Sequence, residues 1–122
     1  MADDLERDPD CLFCKIVAGE IPSDRVYEDD QVIVFRDITP RAPTHVLAIP
    51  RRHIQSIHAL TDSPHDREVL AALFAALRRV ADDAGLGNGY RVVTNVGAAS
   101  GQSVPHLHLH LLGGRSMSWP PG

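Results

Sequence analysis

Residues 106–112 alternate imidazole and leucine side chains, reading His106-Leu107-His108-Leu109-His110-Leu111-Leu112. Successive side chains of a β-strand point to opposite faces of its sheet. The alternation therefore predicts a strand over residues 104–112, with the leucines in a core and the three histidines in a row on the other face. The row needs a further explanation, because burying titratable groups costs free energy unless each group has a partner.

Three interpretations of the histidine row are open: a solvated strand face, a metal site and covalent catalysis. Alternating histidines on a strand suit zinc, and a neutral imidazole is a competent nucleophile towards phosphorus near neutral pH. The preceding loop, residues 97–103 (GAASGQS), favours catalysis. Its glycines let backbone N–H groups approach an anion, and Ser103 adds a hydroxyl. Such a loop leading into imidazoles suits phosphoryl or nucleotidyl transfer.

The rest of the chain predicts an α+β fold. We expect strands at residues 25–28, 31–36, 45–49 and 90–95, the first two forming a hairpin. A short helix is expected over residues 11–18, with Gly19 at its C-terminal end. With the histidine strand, this makes a five-stranded, mainly antiparallel sheet with one long helix and a short N-terminal helix.

The long helix is predicted from its ends and its apolar spacing. Ser63 is a suitable N-cap, Pro64 fits the first helical position, and Gly85 fits the C-terminal end. Apolar residues at spacings of three and four predict one buried face. Its members are Leu70, Leu73, Phe74, Leu77, Val80 and Ala81.

Length and charge limit the class of protein. A chain of 122 residues predicts one domain, over residues 11–122, after a flexible acidic arm at residues 1–10. A net charge of -4 argues against a nucleic-acid partner. No apolar run approaches the ~20 residues of a membrane span, and the acidic start does not resemble a signal peptide. We therefore expect a cytoplasmic protein with no membrane partner.

Two cysteines, Cys11 and Cys14, are three residues apart on the short helix and share a face. The pair alone is open to three interpretations: redox partners, metal ligands or two reduced core residues.

The motif His-φ-His-φ-His-φ-φ, where φ is apolar, resembles the signature of the histidine triad (HIT) superfamily. Further segments resemble its histidine triad nucleotide-binding branch, of the bacterial zinc-containing type. They are residues 11–23 (CLFCKIVAGEIPS), 35–38, 42–53 (APTHVLAIPRRH), 101–115 (GQSVPHLHLHLLGGR) and 119–122 (WPPG). The resemblance implies a HIT-like fold and a homodimer with its sheet continued across the interface and Trp119 near the partner's site. The implied activity is that of a purine nucleoside phosphoramidase that releases AMP.

The resemblance also assigns roles to residues. His108 is the nucleophile, His110 holds the phosphate oxygens with His45 beside it, and Ser103 meets the leaving amine. The implied nucleotide-binding residues are Phe13, Phe35, Asp37, Ile38, Asn95, Gly101, Gln102, Ser103, His108 and His110. For the two phenylalanines a plain core position is an equally good interpretation.

The same resemblance adds His53 and His106 to Cys11 and Cys14 as a zinc site. Four protein ligands leave zinc no open position, so this zinc has a structural role and the chemistry needs no metal. The chain departs from its relatives at Pro105, where they carry an aromatic residue. A proline has no N–H, so strand pairing just before His106 is in doubt.

Two other functions stay open. The neighbouring branch of the superfamily hydrolyses dinucleoside polyphosphates, and a non-catalytic nucleotide-binding or sensing module could use the same pocket. WPPG and Ser103 favour the phosphoramidase.

Overall fold

Five strands form one sheet, and the computed structural model describes residues 7–122 of the chain. The strands are β1 (Arg25–Glu28), β2 (Val32–Arg36), β3 (Thr44–Pro50), β4 (Tyr90–Val93) and β5 (Leu109–Gly113). Their order is β1-β2-β3-β5-β4, and every neighbouring pair is antiparallel. The predicted sheet is confirmed.

Helices cover both faces of this sheet. The short α1 (Leu12–Val17) packs on one face and the long α2 (Pro64–Asp83) on the other. Alternate residues of β3 show the division, since Val46 packs towards α2 and Leu47 towards α1. Because both faces are covered, β2 and β3 are apolar almost throughout. The histidine row lies on the α1 face, since His110 pairs with Leu47 in the β3–β5 register.

The ends of α2 are as predicted, but its buried face is partly different. The Ser63 hydroxyl accepts a hydrogen bond from the Asp66 N–H at 3.2 Å, and Gly85 follows the helix with φ +72°. The predicted Phe74 is 48% exposed and Leu70 is only half-buried. Val69 and Ala76 are buried instead. They lie on the side of Leu73 and Leu77 that is opposite to Leu70 and Phe74, and it is this side of the apolar face that packs against the sheet.

The histidine strand is shorter than predicted. β5 begins at Leu109 rather than at residue 104, although the alternation of side chains continues back to residue 106. The His106 N–H folds back onto the Val104 carbonyl at 2.8 Å, and the Leu107 N–H bonds the Ile54 carbonyl at 2.6 Å, outside the sheet. Pro105, between them, has no N–H to donate. Sheet pairing therefore starts later, as the doubt about Pro105 suggested.

β1 has the predicted bounds, and β2, β3 and β4 differ from the prediction by one or two residues. β4 ends at Val93 rather than at residue 95. Beyond it, the Thr94 hydroxyl donates to the His108 carbonyl at 2.8 Å, so a side chain takes the place of a backbone partner.

The N-terminal arm predicted over residues 1–10 lies mainly outside the described residues. Within the described part, the Asp8 carbonyl accepts a hydrogen bond from the Cys11 N–H at 3.1 Å. The Asp8 N–H points at the Cys14 sulfur at 3.4 Å. None of the helices in residues 7–122 combines the length and the apolar character needed to cross a membrane.

Candidate active site and metal centre

A cavity of about 700 Å³ opens on the α1 face of the sheet, where the histidine row ends. Most of the nucleotide-binding residues predicted from the sequence line it. They are Phe13, Phe35, Asp37, Ile38, Asn95, Gly101, Ser103, His108 and His110. Gln102 is not among the lining residues, and His45 lies behind His110.

Sequence reasoning missed part of the apolar wall. Ile16, Ile21, Leu47 and Val104 also line the cavity. Ile16 was detectable, because it follows Phe13 by three residues on α1 and so shares its face. The position of Val104 had no comparable signal, since it depends on the irregular segment before β5.

A hydrogen bond determines which ring nitrogen of His108 is protonated. Its Nδ1 lies 2.7 Å from the His106 carbonyl oxygen. A carbonyl can only accept, so Nδ1 is the protonated nitrogen, and in the neutral form of the ring Nε2 carries the lone pair. The edge contact with Phe13, at 5.1 Å between ring centroids, holds the ring from the α1 side. This is the arrangement that a nucleophilic imidazole requires.

His45 and His110 form a second pair whose protons can also be assigned. The Arg41 N–H donates to His45 Nδ1 at 3.0 Å, so His45 carries its proton on Nε2. That Nε2 lies 2.9 Å from His110 Nδ1 and donates to it. Burial lowers the pKa of His45, and burial with the neighbouring His108 lowers that of His110 to about 4. His110 is therefore neutral near pH 7, with an N–H at Nε2.

Asp37, His45 and His110 have donor atoms within 4.8 Å of one another, a spacing that also suits a metal. The proton positions argue against that use. A metal on His45 Nε2 requires the ring proton on Nδ1, where it would oppose the Arg41 N–H. An Asp37 carboxylate oxygen instead lies 3.4 Å from the protonated His45 Nε2, whose hydrogen bond goes to His110. The group is therefore a hydrogen-bonded pair of histidines beside a carboxylate.

Gln102 stabilises the loop that leads into the histidine row. Its side-chain oxygen accepts from the Gly97 N–H at 2.8 Å, and its amide nitrogen donates to the Gln55 carbonyl at 2.7 Å. Gly101, at φ +95°, allows the turn that a side chain would disfavour. The loop thereby presents Ser103, which is exposed, at the edge of the cavity.

Phe13 and Phe35 are core residues and also line the cavity, so both interpretations of these positions are compatible with the structure. Phe13 and Phe35 are each 5% exposed and meet edge to face at 5.6 Å, yet both border the cavity. Ile38, by contrast, is 98% exposed at the rim. One Asp37 oxygen accepts the Thr39 N–H at 2.7 Å, which closes a turn and leaves the other oxygen towards His45.

The four predicted metal ligands come together beside this cavity. The donor atoms of Cys11, Cys14, His53 and His106 all lie within 4.8 Å of one another. Sulfur-to-Nδ1 distances are 3.4 Å for Cys11–His106, 3.3 Å for Cys14–His53 and 3.6 Å for Cys14–His106. Tetrahedral zinc, with Zn–S about 2.3 Å and Zn–N about 2.0 Å, places such atoms about 3.6 Å apart.

The chemistry of these side chains also fits a metal. His106 Nε2 donates to the Pro50 carbonyl at 2.9 Å, which leaves Nδ1 bare and aimed at the cysteines. Burial lowers the pKa of His106 to about 4, so its ring is neutral. Burial raises the pKa of Cys14 to about 11, so without a cation its thiol keeps its proton. Zinc replaces such protons, and the residues present fit it.

Comparison with known proteins gives the same family. A family model described as the HIT domain matches residues 18–117. A HIT-like protein of Synechococcus elongatus is 48% identical over 113 residues, covering 93% of this chain and 97% of that protein. A 14 kDa zinc-binding protein of Zea mays is 48% identical over 115 residues, covering 94% and 90%.

A solved structure of a HIT family hydrolase from Legionella pneumophila superposes with a TM-score of 0.89. It is 52% identical and covers 93% of this chain and 100% of its own. The fold and the histidine row thus define a histidine triad protein, and the chain belongs to the HIT domain family.

Proposed function

We propose that this protein hydrolyses purine nucleoside 5′-phosphoramidates through a covalent nucleotidyl intermediate on His108. One observation carries the proposal: His108 Nδ1 donates a hydrogen bond to the His106 carbonyl at 2.7 Å, and the His108 ring borders the cavity. That bond makes Nε2 the nucleophilic nitrogen. The HIT family hydrolase of Legionella pneumophila, which shares the fold, supports hydrolysis as the reaction class.

The reaction proceeds in two displacements at phosphorus. His108 Nε2 attacks the α-phosphorus and the P–N bond breaks, while the departing amine gains one proton from solvent water, relayed through the Ser103 hydroxyl, which gives up one proton and receives another. Water then attacks the same phosphorus, the bond to Nε2 breaks, AMP is released, and the proton lost by the attacking water returns to solvent. Histidine splits one difficult step into two easier ones.

The surrounding groups supply binding and charge stabilisation. His110 donates its Nε2–H to the phosphate oxygens, and His45 maintains that proton position. The Asp37 oxygen that is not bonded to the Thr39 N–H accepts hydrogen bonds from the ribose hydroxyls. Phe13 and Phe35 provide an apolar wall for a purine, with Asn95 and Ile38 at the sugar and the rim and Gly101 beside the phosphate. Gln102 acts through the loop that it stabilises.

We further propose that Cys11, Cys14, His53 and His106 hold a structural zinc ion. The zinc-binding relative from Zea mays and the spacing of the donor atoms support it. With four protein ligands the metal has no open position, so its contribution is to link α1 to the segment before β5. Thiol ligands require a reducing compartment, which supports a cytoplasmic location.

A homodimer is the proposed assembly, with the sheet continued across the interface. β4 is an edge strand, and an unpaired strand edge is a ready partner for a second copy. Trp119 is 84% exposed on the tail, which supports a position near the partner's site. Molar mass in solution tests the assembly, and a strictly monomeric active enzyme would contradict it.

A substrate panel with adduct trapping tests the proposed function. Adenosine 5′-phosphoramidates are compared with diadenosine polyphosphates, and the rapidly quenched protein is analysed by peptide mass spectrometry. We expect preferential release of AMP from the phosphoramidates and an adenylyl adduct on His108. An adduct on any other residue would contradict the central assignment, and preference for the polyphosphates would favour the neighbouring branch's activity.

Replacement of His108 provides the matched test. His108→Gly removes the nucleophile, so kcat falls by about a thousandfold or more. His65→Ala, on the exposed surface of α2, is the control and leaves kcat unchanged. If binding of AMP and the cellular effect persist in His108→Gly while turnover is lost, the protein serves as a non-catalytic nucleotide sensor.

A further inference from the structure

We propose that Arg115 is a positioning residue that sets the proton on His110 through the backbone of Arg41 and the ring of His45. Arg115 lies on the tail after β5, outside the cavity. The effect on turnover rests on the proposed function, whereas the effect on the histidine protons does not.

Three hydrogen bonds connect the tail to the active site. The Arg115 Nε donates to the Arg41 carbonyl at 2.9 Å. The Arg41 N–H donates to His45 Nδ1 at 3.0 Å, and His45 Nε2 donates to His110 Nδ1 at 2.9 Å. Arg41 thus makes two hydrogen bonds. Its carbonyl accepts one from Arg115 on the tail, and its N–H donates one to the ring of His45, which this bond orients.

A packing contact reinforces the same attachment. Gly114, with φ +91°, lies so close to Pro43 that an added Cβ would be 2.9 Å from the Pro43 Cβ. Gly114 and Arg115 therefore hold the loop of residues 41–43 at two adjacent points. This loop precedes β3 and has no place in the sheet ladder, so the tail is a substantial part of what positions the Arg41 N–H.

The tautomer of His110 depends on the position of the Arg41 N–H. With the Arg41 N–H in place, a proton on His45 Nδ1 would face another donor, so the proton stays on Nε2. If the N–H moves away, the Asp37 carboxylate, 3.4 Å from His45 Nε2, still favours a proton there, but a proton on Nδ1 no longer faces a donor. A fraction of the molecules then carries the His45 proton on Nδ1, and the unprotonated Nε2 faces the unprotonated Nδ1 of His110. His110 must move its own proton to Nδ1 to keep the bond. Its Nε2 then presents a lone pair instead of a donor.

The chemical consequence concerns the phosphate. A lone pair on His110 Nε2 repels the phosphate oxygens that an N–H would stabilise. Arg115 therefore acts on turnover without touching the substrate, and its loss lowers kcat by about three- to tenfold, the effect of one hydrogen bond.

Imidazole ¹⁵N spectra of the full-length, metal-loaded protein test this inference. Two-bond ¹H–¹⁵N correlations distinguish a protonated ring nitrogen from a bare one for each histidine. The variants are Arg115→Gln, which removes the guanidinium, Arg115→Lys, which keeps a cationic donor, and the control Arg78→Gln on the exposed face of α2. Wild-type protein is expected to show Nε2 protonated in both His45 and His110.

In Arg115→Gln we expect both rings to gain the Nδ1-protonated form and kcat to fall, with partial recovery in Arg115→Lys and no change in Arg78→Gln. Unchanged ring spectra in Arg115→Gln overturn the inference, and so does an equal change in Arg78→Gln. If the wild type fails to cleave phosphoramidates, the proposed function fails, but the spectra still decide the role of Arg115.

Discussion

The protonation of four histidine rings is decided by a few neighbouring groups. His106 Nε2–H donates a hydrogen bond to the Pro50 carbonyl, and His108 Nδ1–H donates one to the His106 carbonyl. For His110 the order is reversed: the Arg41 N–H donates to His45 Nδ1, and the protonated His45 Nε2 donates to His110 Nδ1. Chemically identical side chains thus present different nitrogens to their surroundings, which suits the proposed roles of metal ligand for His106, nucleophile for His108 and hydrogen-bond donor for His110.

Buried neutral histidines predict a loss of stability in mild acid. Burial lowers the pKa of His106 and of His110 to about 4, whereas unfolded histidine titrates near pH ~6.5. Between these values the unfolded state binds protons that the folded state excludes. The stabilisation is therefore complete above about pH 6.5 and declines as the pH falls towards 4, by on the order of 2 kcal/mol for His106.

Urea unfolding of the metal-free protein at pH 7.5, 6 and 5 measures this effect. His110→Gln is expected to reduce the dependence of the free energy of unfolding on pH, and His65→Gln, at an exposed position, to leave it unchanged. Constant or increasing stability from pH 7.5 to 5 would contradict the assignment of neutral rings.

Among the elements, the ends of α2 follow local rules most closely. Ser63, Pro64 and Gly85 act at the positions that the sequence predicts, because caps depend on neighbours only a few residues away. The buried stripe was less predictable: Phe74 fits the helical spacing but is exposed, and Ala76 is buried. Spacing defines an apolar face of a helix, and the sheet selects which part of it is covered.

The Ser63 cap predicts a moderate effect on stability. Ser63→Ala removes the acceptor of the Asp66 N–H and should lower the free energy of unfolding by about 1 kcal/mol. Urea denaturation measures it against Ser116→Ala, at an exposed position on the tail. Equal effects of the two substitutions would show that the cap contributes nothing, and kcat should be unaffected by either.

For the whole molecule, the candidate metal site connects segments that are distant in the chain. Cys11 is the N-cap of α1 and Cys14 lies within it, and the ring of Phe13, between them, contacts both His106 and His108. A metal held by these residues would therefore stabilise the wall of the candidate active site as well as the short helix, which is too short to be stable alone.

Zinc removal is therefore expected to destabilise the protein. Elemental analysis should find one zinc per chain, and chelation should lower the free energy of unfolding by about 3 kcal/mol or more. Cys14→Ser provides the comparison, because a protein with a disrupted site no longer responds to the chelator. No zinc in the purified protein, together with full stability after chelation, would exclude the structural metal.

The sequence by itself determined the sheet, both helices, the histidine row and the two cysteines, because periodicity, caps and motif spacing act over a few residues. Only the tertiary structure decided where β5 begins and which ring nitrogen is unprotonated in His45, His106, His108 and His110. It alone brought the Arg115 side chain to the Arg41 loop, 74 residues away in the chain. Those features depend on backbone groups from distant segments, and no local pattern encodes which of these meet.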